Sequence, residues 1–217
     1  MSGFFSSTIG NKIVMAISGL VLFGFVIGHM IGNLTVYLGP EAMNAYAEFL
    51  RTVLHGGGLW IARAGLLLAV AAHVKSAWNL TQLNAAARPI GYRMTAPRES
   101  TYASRTMRWS GVLLLAFIVY HLLHLTLGTV HPAFKPGDAY GNLVTGLKVA
   151  PVALFYMIAM LALGMHLFHG ASSMLQTLGL NHARWNPLRN TVSAGLALVV
   201  VAGNLSFPAS ILAGFVS

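Results

Sequence analysis

Five long apolar stretches, at residues 13–38, 59–80, 109–130, 150–175 and 192–215, dominate the chain. A helix needs about 20 such residues to cross hydrocarbon, and it satisfies internally the backbone groups that lipid cannot. No comparable stretch alternates with period two, so a barrel finds no support. Only 8% of the residues are charged, against roughly a quarter in a soluble domain. The expected fold is an all-α membrane protein: one transmembrane domain over residues 1–217, with five helices of which four form a ligand-binding bundle.

Charge sets the expected orientation. The 81–108 connection carries Arg88, Arg93, Arg98, Arg105 and Arg108 against Glu99, and the 179–190 connection carries Arg184 and Arg189. By contrast, 39–58 holds Glu41, Glu48 and Arg51, and 131–148 holds Lys135, Lys148 and Asp138. Basic loops favour the inner side, which puts the N-terminus in the cytoplasm and the C-terminus outside. The formal net charge of +9 then reads as this bias plus contact with anionic lipid, with no nucleic acid as partner. Lys12 leads into an apolar stretch too long for a cleavable signal, and none is expected. The chain has no cysteine, which excludes iron–sulfur ligation by this chain and covalent haem attachment.

Four of the nine histidines stand well inside apolar spans: His29, His73, His121 and His166. Ionisable residues at membrane depth are expensive and functional by default, and four on four successive spans are harder to read as satisfied core residues than one. At 1.5 Å per residue, His29 lies about 25 Å along its helix from Lys12, and His121 roughly 20 Å from Arg108. Both therefore fall in the outer half. His73 is followed by inner-side Lys75, and His166 lies about 27 Å past outer-side Lys148. The depths sort the four into two couples, His29 with His121 and His73 with His166. Two couples of imidazoles suit the axial positions of two b-type haems and thus electron transfer. Zinc prefers four convergent ligands, or three and a water, and is disfavoured.

An internal repeat accompanies the couples. Ser18-Gly19 precedes His29 at the offset at which Ser110-Gly111 precedes His121, as if a two-helix unit at 13–80 were duplicated at 109–175. Gly19, Gly24, Gly28 and Gly32 would let either a flat macrocycle or a neighbouring helix approach the first span.

These residues resemble the single-polypeptide, di-haem cytochrome b subunits of succinate dehydrogenases and fumarate reductases. The likeness is carried by His29, Asn33, the run Gly39-x-Glu41-Ala42-x-Asn44 and Phe49, then by Arg108-x-x-Gly111 before His121, and by Phe155-Tyr156 before His166 with Gly170 after it. The resemblance implies a membrane anchor for a flavoprotein subunit and an iron–sulfur subunit on the cytoplasmic side. It implies two haem b, with His73 and His166 nearer the iron–sulfur partner and His29 and His121 holding the outer haem, and a membrane quinone (menaquinone or ubiquinone) as substrate. Some members carry a carboxylate two residues before the fourth ligand, implicated in moving protons across the membrane. Here that position is Gly164, which offers no carboxylate for that route.

Further candidates for haem or quinone contact are Glu48, Arg51 and His124 on the outer side, and Ser18, Lys75, Trp78 and Arg108 on the inner side. Each has a plainer role as an interfacial anchor. His124 and His169 follow a ligand by three residues, one turn away; they would replace a ligand, touch propionates or quinone, or snorkel toward a helix end. His55, His131 and His182 are read as solvated loop residues. Two other classes compete. The cytochrome b anchor of a membrane hydrogenase or formate dehydrogenase predicts the same haems without the Gly39–Asn44 run. A transporter with a histidine proton relay predicts a colourless protein.

Overall fold

A computed structural model describes residues 3–87 and 102–217. Arg88, Arg93, Arg98 and Glu99, on which part of the orientation argument rests, lie outside the described residues. Among the described residues the chain is all helical, with no strand. Seven α-helices follow in order: α1 (Thr8–Asn33), α2 (Pro40–Thr52), α3 (Gly57–Ala86), α4 (Tyr102–His121), α5 (Ala139–Leu147), α6 (Ala150–Thr177) and α7 (Asn186–Leu212).

Five helical segments are long and apolar enough to cross a membrane: Thr8–Leu38, Pro40–Ala86, Tyr102–Thr126, Ala150–Thr177 and Asn186–Leu212. Four of the spans begin earlier than hydropathy alone suggests, because caps and interfacial residues extend helices beyond the apolar run. Ser7 starts α1 by accepting a hydrogen bond from the Gly10 amide at 3.0 Å, which satisfies one of the orphan donors of the first turn. Proline opens α2, α6 and α7, where the absent N–H costs nothing.

Two helices interrupt connections that hydropathy leaves as loops. Gly39, at φ +97°, reverses the chain in a conformation that a side chain would strain. Pro40 and Glu41 then start α2, and Arg51 sits in its last turn, charges that complement the helix dipole. Left-handed Leu54, His55 and Gly56 separate α2 from α3. Asp138 caps α5 by accepting from the Gly141 amide at 2.8 Å.

α1 packs against α3, and α4 against α6, while α1 also meets α6. These four helices enclose the centre. α7 lies outside them along α6 and touches α1. Where α2 and α5 fold over one end of the bundle, Val36, Met43, Val144 and Leu147 are buried.

Asn44 clasps that end together. Its amide donates to the Asp138 carboxylate at 3.1 Å, and its carbonyl accepts from the Tyr140 amide at 3.0 Å. The Gly141 N–H, then the Asn44 amide, then Lys135 hold the Asp138 carboxyl below the usual carboxylate range, partly opposed by burial. A depressed folded pKa gives stability that is present above the unfolded value and lost as pH falls through the folded one. Wild type is therefore expected to melt higher than Asp138→Asn at neutral pH. That advantage should vanish on acidification below about pH 4, the unperturbed range of an aspartate. Thermal melts of the solubilised protein from pH 7 to pH 3 check this; a constant difference would assign the clasp no charge component.

Candidate functional site

The four embedded histidines stand as two facing couples. The His29 and His121 rings have centroids 5.8 Å apart at 87°, and those of His73 and His166 are 6.2 Å apart at 56°. None of the four is buried: His73 and His166 stand well inside α3 and α6, His29 one turn before the end of α1, and His121 where α4 ends. Among the described residues, no three His, Cys, Asp or Glu converge as a metal site would require.

Serines hold one couple. Ser18 of α1 donates to the Val14 carbonyl at 2.7 Å and lies 3.3 Å from His73 Nδ1 on α3. Ser110 of α4 donates to Met107 at 3.0 Å and lies 3.2 Å from His166 Nδ1 on α6. A serine hydroxyl has one proton. With that proton on a carbonyl, each Oγ accepts from its imidazole, so Nδ1 carries hydrogen and Nε2 keeps a lone pair. The Ser-Gly pairs stand at equal offsets from His29 and His121 in sequence, yet they serve the histidines of neighbouring helices. Gly19 and Gly111 clear the way: a Cβ there would lie 3.4 Å from His73 Cε1 and 3.8 Å from His166 Cε1.

The other couple is held differently. Phe25 stacks on His29 at 5.3 Å and 18°. His121 Nδ1 lies 3.3 Å from the Tyr156 hydroxyl. After His121, α4 passes into a π-helical turn, Leu122–Thr126, closed by the Leu127 amide on the Leu122 carbonyl at 2.8 Å. Such turns gather at functional sites. This one carries His124, whose Nδ1 is 2.9 Å from the same Tyr156 hydroxyl.

This donor arrangement fits haem. Two metal–imidazole bonds of about 2 Å, plus roughly 1 Å from each nitrogen to its ring centre, put coordinated rings about 6 Å apart. Both couples have that spacing. A Cβ on Gly24 or Gly28 would meet nothing within 4 Å, which leaves room beside His29. Gly32 serves helix packing instead, since a Cβ there would run into the Tyr46 ring of α2. Gly164 is likewise a packing glycine, because its Cβ would collide with Val201 of α7.

The couples are well separated along the bundle. Ser18 and His29 are eleven residues apart on α1, as are Ser110 and His121 on α4, a rise of about 16 Å. On α6, Tyr156 and His166 are ten apart, or about 15 Å.

The remaining candidates lie elsewhere. Glu48 and Arg51 pair with each other at 3.6 Å on the exposed side of α2. Lys75, Trp78 and Arg108 are exposed on α3 and α4. His124 does not snorkel; it is 1% exposed. His131 is not a freely solvated loop residue either. It stacks on His124 at 4.9 Å, its Nε2 donates to the Asn142 carbonyl at 2.8 Å, and its Nδ1 accepts from the Ala133 amide at 3.0 Å. Sequence reasoning gave no role to Tyr156, noted only within the Phe155-Tyr156 pattern, and none to the Asn44–Asp138 clasp.

The family model for the succinate dehydrogenase/fumarate reductase transmembrane subunit matches residues 85–203. Comparison with curated proteins and with solved structures yields no match. The matched stretch includes α4, α5, α6, the central half of the enclosing bundle, and most of α7. The chain belongs to the succinate dehydrogenase/fumarate reductase transmembrane subunit family and is a multi-pass membrane subunit of that enzyme complex.

Proposed function

We propose that this subunit is the di-haem cytochrome b anchor of its complex, carrying electrons between the iron–sulfur subunit and membrane quinone in the cytoplasmic membrane of a prokaryote. The observation that carries the reading is the pair of imidazole couples at haem-like spacing. His73 and His166 would hold the haem nearer the iron–sulfur partner, and His29 and His121 the other. When bound, each haem would supply a one-electron carrier held by two imidazoles, an arrangement that favours electron transfer over oxygen chemistry.

The protein's part is orientation and exclusion of water. Ser18 and Ser110 fix the tautomer of His73 and His166, which leaves each Nε2 with the lone pair that would bind an iron. Outer-shell partners of this kind orient ligands and raise their basicity. The apolar helices surrounding the couples keep the dielectric low. The N-terminus is assigned to the cytoplasm, which places Ser18 and Ser110 on the side of the flavoprotein and iron–sulfur subunits.

A dithionite-reduced minus oxidised spectrum of the purified complex, with the haem-to-protein ratio, tests the reading. About two b-type haems per chain are expected. A colourless subunit co-purifying with flavin and iron–sulfur partners would end it.

A further inference from the structure

The two couples are braced by different chemistry, and the difference points to a residue with a specific task. We propose that Tyr156, itself anchored by His124, is the positioning residue of the His29–His121 site and sets the electron affinity of the haem there. The proposal rests on the haem assignment above.

The hydrogen bonds can be directed one by one. Tyr156 occupies His121 Nδ1, so Nε2 is the nitrogen left for iron. A neutral imidazole that ligates through Nε2 carries its proton on Nδ1. His121 Nδ1–H therefore donates to the Tyr156 oxygen, 3.3 Å away. The phenol has one proton, and its nearest partner is His124 Nδ1 at 2.9 Å. His124 accepts it, so the His124 proton sits on Nε2. That atom is buried and has no hydrogen-bond partner among the described residues.

His124 is gripped firmly enough to act as an anchor. Its ring lies between Tyr120, stacked at 5.4 Å and 24°, and His131, stacked at 4.9 Å and 28°. His131 is itself tied to Asn142 and Ala133. Gly146 of α5 closes the site from above, where a Cβ would come 2.6 Å from His124 Cε1. The π-helical turn brings His124 to the same hydroxyl as His121. A buried tyrosine ordinarily needs only one partner for its hydroxyl. This one joins two imidazoles, one of them immobilised.

An acceptor on Nδ1–H makes an axial imidazole a stronger electron donor, which favours the oxidised iron. Loss of the Tyr156 hydroxyl should therefore raise the potential of this haem alone. Ser110 serves the other couple in the same way and provides the internal control.

The test is a potentiometric titration of the purified complex, followed in the b-type absorbance and in the low-spin electron paramagnetic resonance signals. His121→Ala identifies which couple belongs to His29 and His121. Tyr156→Phe is expected to keep two haems per chain and to shift that couple upward by about 59 mV, a tenfold change in the oxidised-to-reduced ratio for one electron. The second couple should stay in place. Ser110→Ala should move the second couple and leave the first. Unchanged potentials and resonance signals in Tyr156→Phe, or an equal shift of both couples, would overturn the proposal. Should Tyr156→Phe fail to assemble, His124→Phe decides: it keeps the ring stack, removes the phenol's acceptor, and is expected to move the same couple upward by a smaller amount. No shift there would also overturn it. A wild-type complex without haem would instead remove the parent assignment.

Discussion

Replacing His73 or His166 by alanine should abolish one and the same b-haem, and replacing His29 or His121 should abolish the other. Each couple spans two helices, α3 with α6 and α1 with α4. With the proposed haems bound, removing either imidazole would take away one of the two residues that hold the group and leave the remaining ring without its counterpart. The couples are about 16 Å apart by helical rise, too far for a histidine of one to replace a histidine of the other. The expected result is therefore half the haem content in all four variants, with two complementary spectra. Haem extraction and reduced-minus-oxidised spectra of the four purified proteins decide it. If His73→Ala removed the component lost in His121→Ala, the assignment of couples would be wrong.

Gly164→Glu should be the most damaging substitution outside the histidines. A Cβ at this position would overlap Val201 on α7, and neither side of the contact is flexible enough to yield cheaply. Overpacking of this kind typically costs about 1–3 kcal/mol. A carboxylate at the centre of a spanning helix adds roughly 2.5–3.5 kcal/mol on insertion scales. Together these are comparable with the lower end of the stability of an ordinary domain, about 5 kcal/mol. Little assembled subunit is expected, against a milder loss in Gly164→Ala, which has the clash without the charge. Membrane yield and melting temperature of the two variants provide the check. Wild-type yield in Gly164→Glu would show that α7 does not press on α6 here.

Hydropathy made the five spans legible because their burial in lipid depends on local composition alone. The histidines were legible for the same reason: an imidazole amid leucines stands out in one dimension. α2 and α5 were not. They are short, and what holds them is tertiary, namely Asn44 reaching from one helix to the cap of the other. The fate of His124 was hidden too. Its spacing from His121 places it near a helix end, where long polar side chains escape to water. The chain instead turns back after Gly128 and lays α5 over it, which no local pattern encodes. Ser18 and Ser110 were visible as a repeat, but their partners lie on neighbouring helices, and offsets along one helix say nothing about neighbours. Tyr156 carries only a resemblance as its signal, since an aromatic residue in a lipid-embedded helix is otherwise unremarkable.

The axial separation of the couples has an electrical consequence. About 16 Å is roughly half of the 30 Å hydrocarbon thickness. One elementary charge crossing the full membrane against 100 mV requires about 2.3 kcal/mol, so an electron passing between the two sites does about 1.2 kcal/mol of work with or against the field. With the proposed haems at the two sites, energisation of the cell would thus redistribute electrons between them several-fold, with no movement of the protein at all.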